Sequence, residues 1–223
     1  GKQEAGAVIR LKDGGSVTLE NLPEGTYTVI EKTAGEEGYL WKSEVTVTGK
    51  NTEEATTASA EVTDGNETTV SFKNTYKKFT EVELQLNAKK NLTGRALTED
   101  EFEFLVTSEN KVGLTLPGKI FTNDKNGNIV ITGIVFSEEG RYILTVEEKK
   151  GENAGITYDS TKYNVTVNVK ANAEGDLKTE IESIKKKGEE KNENQIVFNN
   201  IYTATANFTL TASKSMKAES EQL

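Results

Sequence analysis

Three residues in this chain have types and positions suited to chemistry inside a fold: Lys90, Glu148 and Asn200. Each interrupts an otherwise apolar face. Val82, Leu84, Leu86, Ala88 and Lys90 share one parity of a strand-like run, Tyr142, Leu144, Val146 and Glu148 share another, and Ile196, Phe198, Asn200 and Tyr202 share a third. Side chains alternate between the two faces of a strand, so each stripe faces a core and carries one polar intruder. Burying a lone ammonium or carboxylate is costly, so such groups pair, neutralise or react. Two readings follow. In the first, Lys and Glu form a buried ion pair beside a satisfied amide, or the three lie just beyond the buried edge. In the second, the desolvated Lys loses its proton and becomes a nucleophile. The desolvated Glu gains a proton, hydrogen-bonds the Asn carbonyl and polarises it. The amine attacks, ammonia leaves, and an amide joins Lys to Asn. Lys89 and Glu147 are adjacent alternatives, since a one-residue slip or a bulge would bring either one inward.

The elements that must hold these residues are strands. Short runs of alternating apolar and polar residues recur between turn residues: Ser16 to Leu19, Tyr27 to Glu31, Thr69 to Phe72, Val82 to Lys90, Phe102 to Val106, Tyr142 to Glu148, Tyr163 to Val169 and Ile196 to Tyr202. That period predicts half-buried strands. Asn126-Gly127 signals a two-residue hairpin. Ala5 to Ile9 and Leu177 to Lys187 are also read as strands. No segment carries a helical period of ordinary length, so the chain is predicted to be all-β.

The sequence repeats. Gly25-Thr-Tyr-Thr-Val-Ile-Glu31 returns as Gly140-Arg-Tyr-Ile-Leu-Thr-Val-Glu-Glu148, and Phe72-Lys-Asn74-Thr-Tyr76 returns as Phe198-Asn-Asn200-Ile-Tyr202. Leu86-Asn-Ala-Lys-Lys90 returns as Leu210-Thr-Ala-Ser-Lys214. The offsets are 126 (200 minus 74) and 124 (214 minus 90), so the unit is a tandem repeat of that size. Residues 1–78 are expected to be the later part of one repeat, 79–204 a complete one, and 205–223 the first strand of a third. Glu31 and Asn74 match Glu148 and Asn200. The matching Lys would lie 58 residues (148 minus 90) before Glu31, near position −27. Lys214 sits on an apolar parity with Phe208, Leu210 and Ala212. Residues 205–217 are therefore expected to fill a first-strand slot of a first repeat, in the same chain or another copy, with Lys214 facing Glu31 and joining Asn74.

Leu86-Xaa-Ala-Xaa-Lys90, Leu92-Thr-Gly94-Arg, Glu101-Phe-Glu-Phe104, Gly140-Xaa-Tyr to Glu148, and Phe198-Xaa-Asn200-Xaa-Tyr together resemble the isopeptide-containing shaft domains of Gram-positive major pilins. Asn21-Leu-Pro-Glu-Gly-Thr-Tyr-Thr-Val-Ile-Glu31 resembles the related B-type domains of collagen adhesins. The resemblance implies tandem immunoglobulin-like β-sandwiches. It also implies a self-generated Lys90–Asn200 bond with Glu148 as catalyst, and Glu31 as its counterpart in the first repeat. No cofactor or metal is implied. The function implied is a stalk or shaft segment of a surface adhesin or pilus, extracellular and anchored to the cell wall through another part of the protein. Neighbouring repeats would be its partners. The alternative is an adhesin domain that binds a host matrix or glycan ligand.

Composition narrows the alternatives. The net charge of −9 disfavours a nucleic-acid partner. With no cysteine and no histidine, disulfides, His/Cys metal sites and histidine triads are excluded. No apolar run reaches membrane-spanning length. Asp124, Asn126 and Asn128 alternate like the start of a calcium loop, but Gly127 is misplaced and no Glu closes it. An enzyme acting on an outside substrate is not expected.

Overall fold

The computed structural model describes residues 6–32, 35–204 and 210–215. The chain divides into two compact units, Gly1–Lys77 and Lys78–Leu223. Both are all-β, and the described residues contain no helix.

In the first unit, β1 (Gly25–Ile30) pairs antiparallel with β4 (Thr57–Val62), from Gly25 opposite Val62 to Ile30 opposite Thr57. A second sheet places β2 (Tyr39–Val47) between β3 (Glu53–Glu54) and β5 (Val70–Lys78). The core is small: Val45, Val47, Ala58 and Ala60, flanked by Ala55, Val70 and Phe72. Ser16 to Leu19 does not form the expected strand, and neither do residues 6–9. Val8, Ile9, Leu11, Val17 and Leu19 are all exposed. Alternation alone makes a strand only where a neighbour supplies a hydrogen-bonding ladder and a core to cover, and among the described residues this stretch has neither.

The second unit is a sandwich of two five-stranded sheets. Its strands are β6 (Val82–Thr93), β7 (Glu103–Ser108), β8 (Leu114–Thr115), β9 (Phe121–Thr122), β10 (Asn128–Phe136), β11 (Gly140–Lys149), β12 (Ile156–Thr157), β13 (Lys162–Ala171), β14 (Leu177–Lys186) and β15 (Ile196–Tyr202). One sheet runs β12-β15-β6-β10-β8, the other β14-β13-β11-β7-β9. Leu84, Leu86, Ala88, Ile129, Ile131, Ile196 and Phe198 face inward from the first. Phe104, Leu144, Val146, Tyr163, Val165 and Val167 meet them from the second. This is the immunoglobulin-like architecture of two packed, largely antiparallel sheets.

One pairing stands apart. The first strand of this unit, β6, lies beside the last, β15, and the two run parallel, with Phe198 opposite Lys90 and Asn200 opposite Leu92. A parallel pair needs a long crossover. Here the crossover is nearly the whole unit.

Asn126-Gly127 does make a turn, but the strands on either side of it do not pair as a hairpin. β9 ladders with β7, and β10 with β6 and β8. The Asp124 carboxylate shapes the turn by accepting from the backbone N–H of Asn126 and Asn128 and from the Asn128 side chain. At the other end of the chain, Leu210 to Ser215 are exposed and in no strand, unlike the expected first strand of a third repeat. Residues 205–209 and 216–223 lie outside the described residues.

Candidate crosslinking site

Lys90 and Asn200 project inward from adjacent strands of one sheet, and Glu148 reaches them from β11 of the other. Lys90 Nζ donates to Glu148 Oε2 at 2.6 Å, and Asn200 Nδ2 donates to Glu148 Oε1 at 2.6 Å. The carboxylate thus bridges the amine and the amide. Lys90 and Asn200 are each 1% exposed and Glu148 8%, so the cluster is closed to solvent. Its shell is aromatic. The Phe102 ring lies 4.6 Å from Lys90 Nζ, and Phe198 packs against Phe104 and Tyr163.

Burial sets the electrostatics. Desolvation pushes the Lys90 amine below the usual lysine range, against the opposing hydrogen bond and charge of Glu148. Desolvation pushes the Glu148 carboxyl above the usual range, against the hydrogen bonds from Lys90 and Asn200. Both shifts favour the neutral pair, a free amine beside a carboxylic acid.

Backbone geometry holds the trio in place. Lys90 N–H donates to Gly127 O at 2.7 Å, and Gly127 has φ +82°. A Cβ built on Gly127 would sit 2.1 Å from Lys90 O, so only glycine permits this approach. At the end of β15, a Cβ on Gly94 would sit 2.1 Å from Tyr202 O. Arg95 stacks on the Tyr202 ring and pairs with Glu101.

The adjacent alternatives point elsewhere. Lys89 Nζ donates to Asn126 O and Asn128 Oδ1, and Glu147 pairs with Lys162. The carbonyl of Asn200 departs from expectation. Glu148 bonds the amide nitrogen, not the oxygen. Asn200 Oδ1 accepts instead from the backbone N–H of Asp159 at 2.7 Å. A backbone N–H can only donate, so it fixes the oxygen on its own side and turns the NH₂ toward the carboxylate. Asp159 is invisible to a search for intruders on apolar stripes, because it sits in the loop between β12 and β13. Its Asp-Xaa-Thr sequence, typical of an Asx-turn, was the available signal.

The first unit brings Glu31 and Asn74 together in the same sense. Asn74 Nδ2 donates to Glu31 Oε1 at 2.7 Å. The other carboxylate oxygen accepts from Ser43 Oγ at 2.6 Å, in the role Lys90 fills in the second unit. Trp41 Nε1 donates to Asn74 Oδ1 at 3.0 Å. Asn74 is exposed, so this cluster lacks the dry shell of the other. Lys214 is exposed as well.

Residues 86–203 match the family model described as a Spy0128-like isopeptide containing domain (FctA). Residues 1–76 match a domain family of unknown function, DUF7601. Among curated proteins, none matches significantly. Among solved structures, a point mutant of the major pilin from Streptococcus pyogenes matches at 21% identity with a TM-score of 0.41, over 53% of this chain and 50% of that one. The chain therefore spans about half the length of that pilin. With more than half of its residues matched by the family model, the chain belongs to the family of Spy0128-like isopeptide containing domains.

Proposed function

We propose that the second unit closes a covalent amide between Lys90 and Asn200, with Glu148 as its acid–base group. We propose further that the chain is a load-bearing segment of a pilus shaft or surface stalk. The observation that carries this is the Glu148 carboxylate bridging Lys90 Nζ and Asn200 Nδ2 at 2.6 Å each, in a site shut off from water. Glu148 Oε2 takes a proton from Lys90, leaving a neutral amine. Nζ attacks Cγ of Asn200, the Nζ–Cγ bond forms, and the Cγ–Nδ2 bond breaks as Nδ2 gains a proton. Lys90 sheds two protons in all. One leaves with Nδ2 as ammonia and the other remains on Glu148. The reaction consumes its own side chains and runs once, so the protein turns over no outside substrate.

The bond would join the first strand of the unit to the last. Tension entering along β6 would leave through β15 by way of the amide, and the strands between would carry no load. On this reading the segment works outside a Gram-positive cell, between neighbouring repeats, attached to the wall through another part of the protein. The deciding experiment is the intact mass of the purified chain. A deficit of one ammonia that vanishes in Lys90→Ala and in Glu148→Ala is expected. A wild-type mass equal to the sequence mass would refute the bond.

A second reading concerns the first unit and is favoured by the Glu31–Asn74 pairing, which repeats that of Glu148 and Asn200. Here Lys214, on a segment 205–217 exchanged into the first unit of the same or another copy, displaces Ser43 from Glu31 and joins Asn74. Between copies this gives covalent ladders on a denaturing gel. Monomer alone, with one ammonia lost per chain, would rule it out.

A further inference from the structure

We infer that the backbone N–H of Asp159 is the donor that stabilises the negative charge developing on Asn200 Oδ1, and that the Asp159 carboxylate positions that N–H. The inference rests on the Lys90–Asn200 bond proposed above and assigns the part of the reaction that Glu148 does not reach. When the Lys90 amine adds to Cγ, the carbonyl electron pair moves onto Oδ1. That charge returns to the carbonyl when the Cγ–Nδ2 bond breaks. Both Glu148 oxygens are already engaged, one with Lys90 Nζ and one with Asn200 Nδ2. The group facing Oδ1 is Asp159 N–H, at 2.7 Å in the resting structure. A preorganised donor aimed at a developing oxyanion in a dry site lowers the barrier strongly, because it need not reorient as charge appears.

The loop is tied so that this N–H cannot turn away. Asp159 Oδ1 accepts from Thr161 N–H at 2.8 Å, which closes the turn. Asp159 Oδ2 accepts from Asn199 N–H at 2.7 Å, which fastens the loop to the residue beside Asn200. Burial pushes the Asp159 carboxyl up, but the hydrogen bonds from Thr161 and Asn199 outweigh it and hold the group below the usual range. It therefore stays an ionised acceptor for both N–H groups. An independent observation comes from the first unit. There an unrelated donor, Trp41 Nε1–H, faces Asn74 Oδ1 while Glu31 takes the amide nitrogen. Two units thus build one polarity around their Asn, oxygen to a fixed N–H and nitrogen to a carboxylate, from different residues.

The test replaces Asp159 in the full chain by its α-hydroxy acid analogue. The backbone N–H becomes an ester oxygen and the carboxylate is kept. Cell-free synthesis followed by timed intact-mass measurement reads the rate of ammonia loss. The ester form is expected to lose ammonia about 10²–10³ times more slowly than the all-amide chain. Asp159→Ala, which keeps the N–H but frees the loop, is expected to be slowed by less. To separate chemistry from folding, both substitutions are repeated on Glu148→Gln, which cannot react. There the ester's melting midpoint should fall no further than that of Asp159→Ala, and the Asn200 Cγ carbon resonance should move upfield further in the ester than in Asp159→Ala. An ester that reacts as fast as the amide chain, or an unmoved carbon resonance, overturns the inference and leaves the Lys90–Asn200 bond standing. An all-amide chain that never loses ammonia overturns both.

Discussion

Replacing Lys90 by Met removes the amine, the proposed nucleophile, but keeps most of the apolar stem. Lys90 and Asn200 are 110 residues apart (200 minus 90), so the proposed bond would close a loop of that size. If it restricts the unfolded chain as a disulfide of similar span does, it contributes about 4.7 kcal/mol. The unit from 79 to 204 has 126 residues (204 minus 79 plus 1). At about 2.1 cal/mol/K per residue, its unfolding entropy is roughly 0.26 kcal/mol/K. The quotient is a drop of about 18 °C in the melting midpoint of the second unit. Glu148 loses its Lys90 partner in this variant, but burial, which already raises its carboxyl, favours the neutral acid and so avoids an isolated charge. Differential scanning calorimetry of both chains, paired with intact mass, measures the gap. Reductant should leave both midpoints unchanged, since the chain has no cysteine. A wild-type chain that lacks one ammonia yet melts within a few degrees of Lys90→Met would refute the loop-closure reasoning.

Other expectations follow from the same geometry. The rate of bond formation should be flat at intermediate pH and fall on both sides. At low pH an added proton leaves Lys90 as ammonium beside neutral Glu148, and at high pH the lost proton removes the acid that serves the leaving nitrogen. A rate that rises monotonically with pH would contradict the bridging role of Glu148. Gly127→Ala should destabilise the second unit by roughly 1–3 kcal/mol in chemical denaturation, because it strains a left-handed turn against Lys90 O. Lys89→Ala and Glu147→Ala should each keep the full ammonia deficit, since their side chains are engaged elsewhere. In single-molecule pulling from the chain ends, the second unit should withhold roughly 360–400 Å of extension in wild type and release it in Lys90→Met.

Much of the second unit was legible because strand parity is a strong constraint. Leu84, Leu86, Ala88 and Lys90 are all buried on β6, so the inward position of Lys90 followed from its neighbours. Glu148 and Asn200 were legible for the same reason, but the choice of Lys90 over Lys89 was not, because a one-residue slip or a bulge would turn Lys89 inward instead. The orientation of the Asn200 amide was not. It depends on Asp159, a loop residue whose role comes from a backbone N–H that every non-proline residue possesses. Ser16 to Leu19 misled because alternation reports amphipathicity and says nothing about a partner. Asn126-Gly127 misled more subtly. The turn forms, but the Asp124 side chain closes it and the long-range pairing of β10 with β6 decides where the strands go. The relation of Lys214 to Asn74 rests on spacing, and spacing carries no information about which chain supplies a strand.

The parallel pairing of β6 with β15 has a consequence for how such a unit extends a polypeptide. The chain enters at Val82, and Ile201, next to last in β15, lies at the level of Thr93, eleven residues further along the same direction (93 minus 82). At about 3.3 Å per residue, entry and exit are separated by roughly 36 Å along the strand axis. An antiparallel pairing of first and last strands would bring both ends to one side and fold a string of units back on itself. With the parallel arrangement the backbone leaves the second unit at the opposite end of the sheet from where it entered.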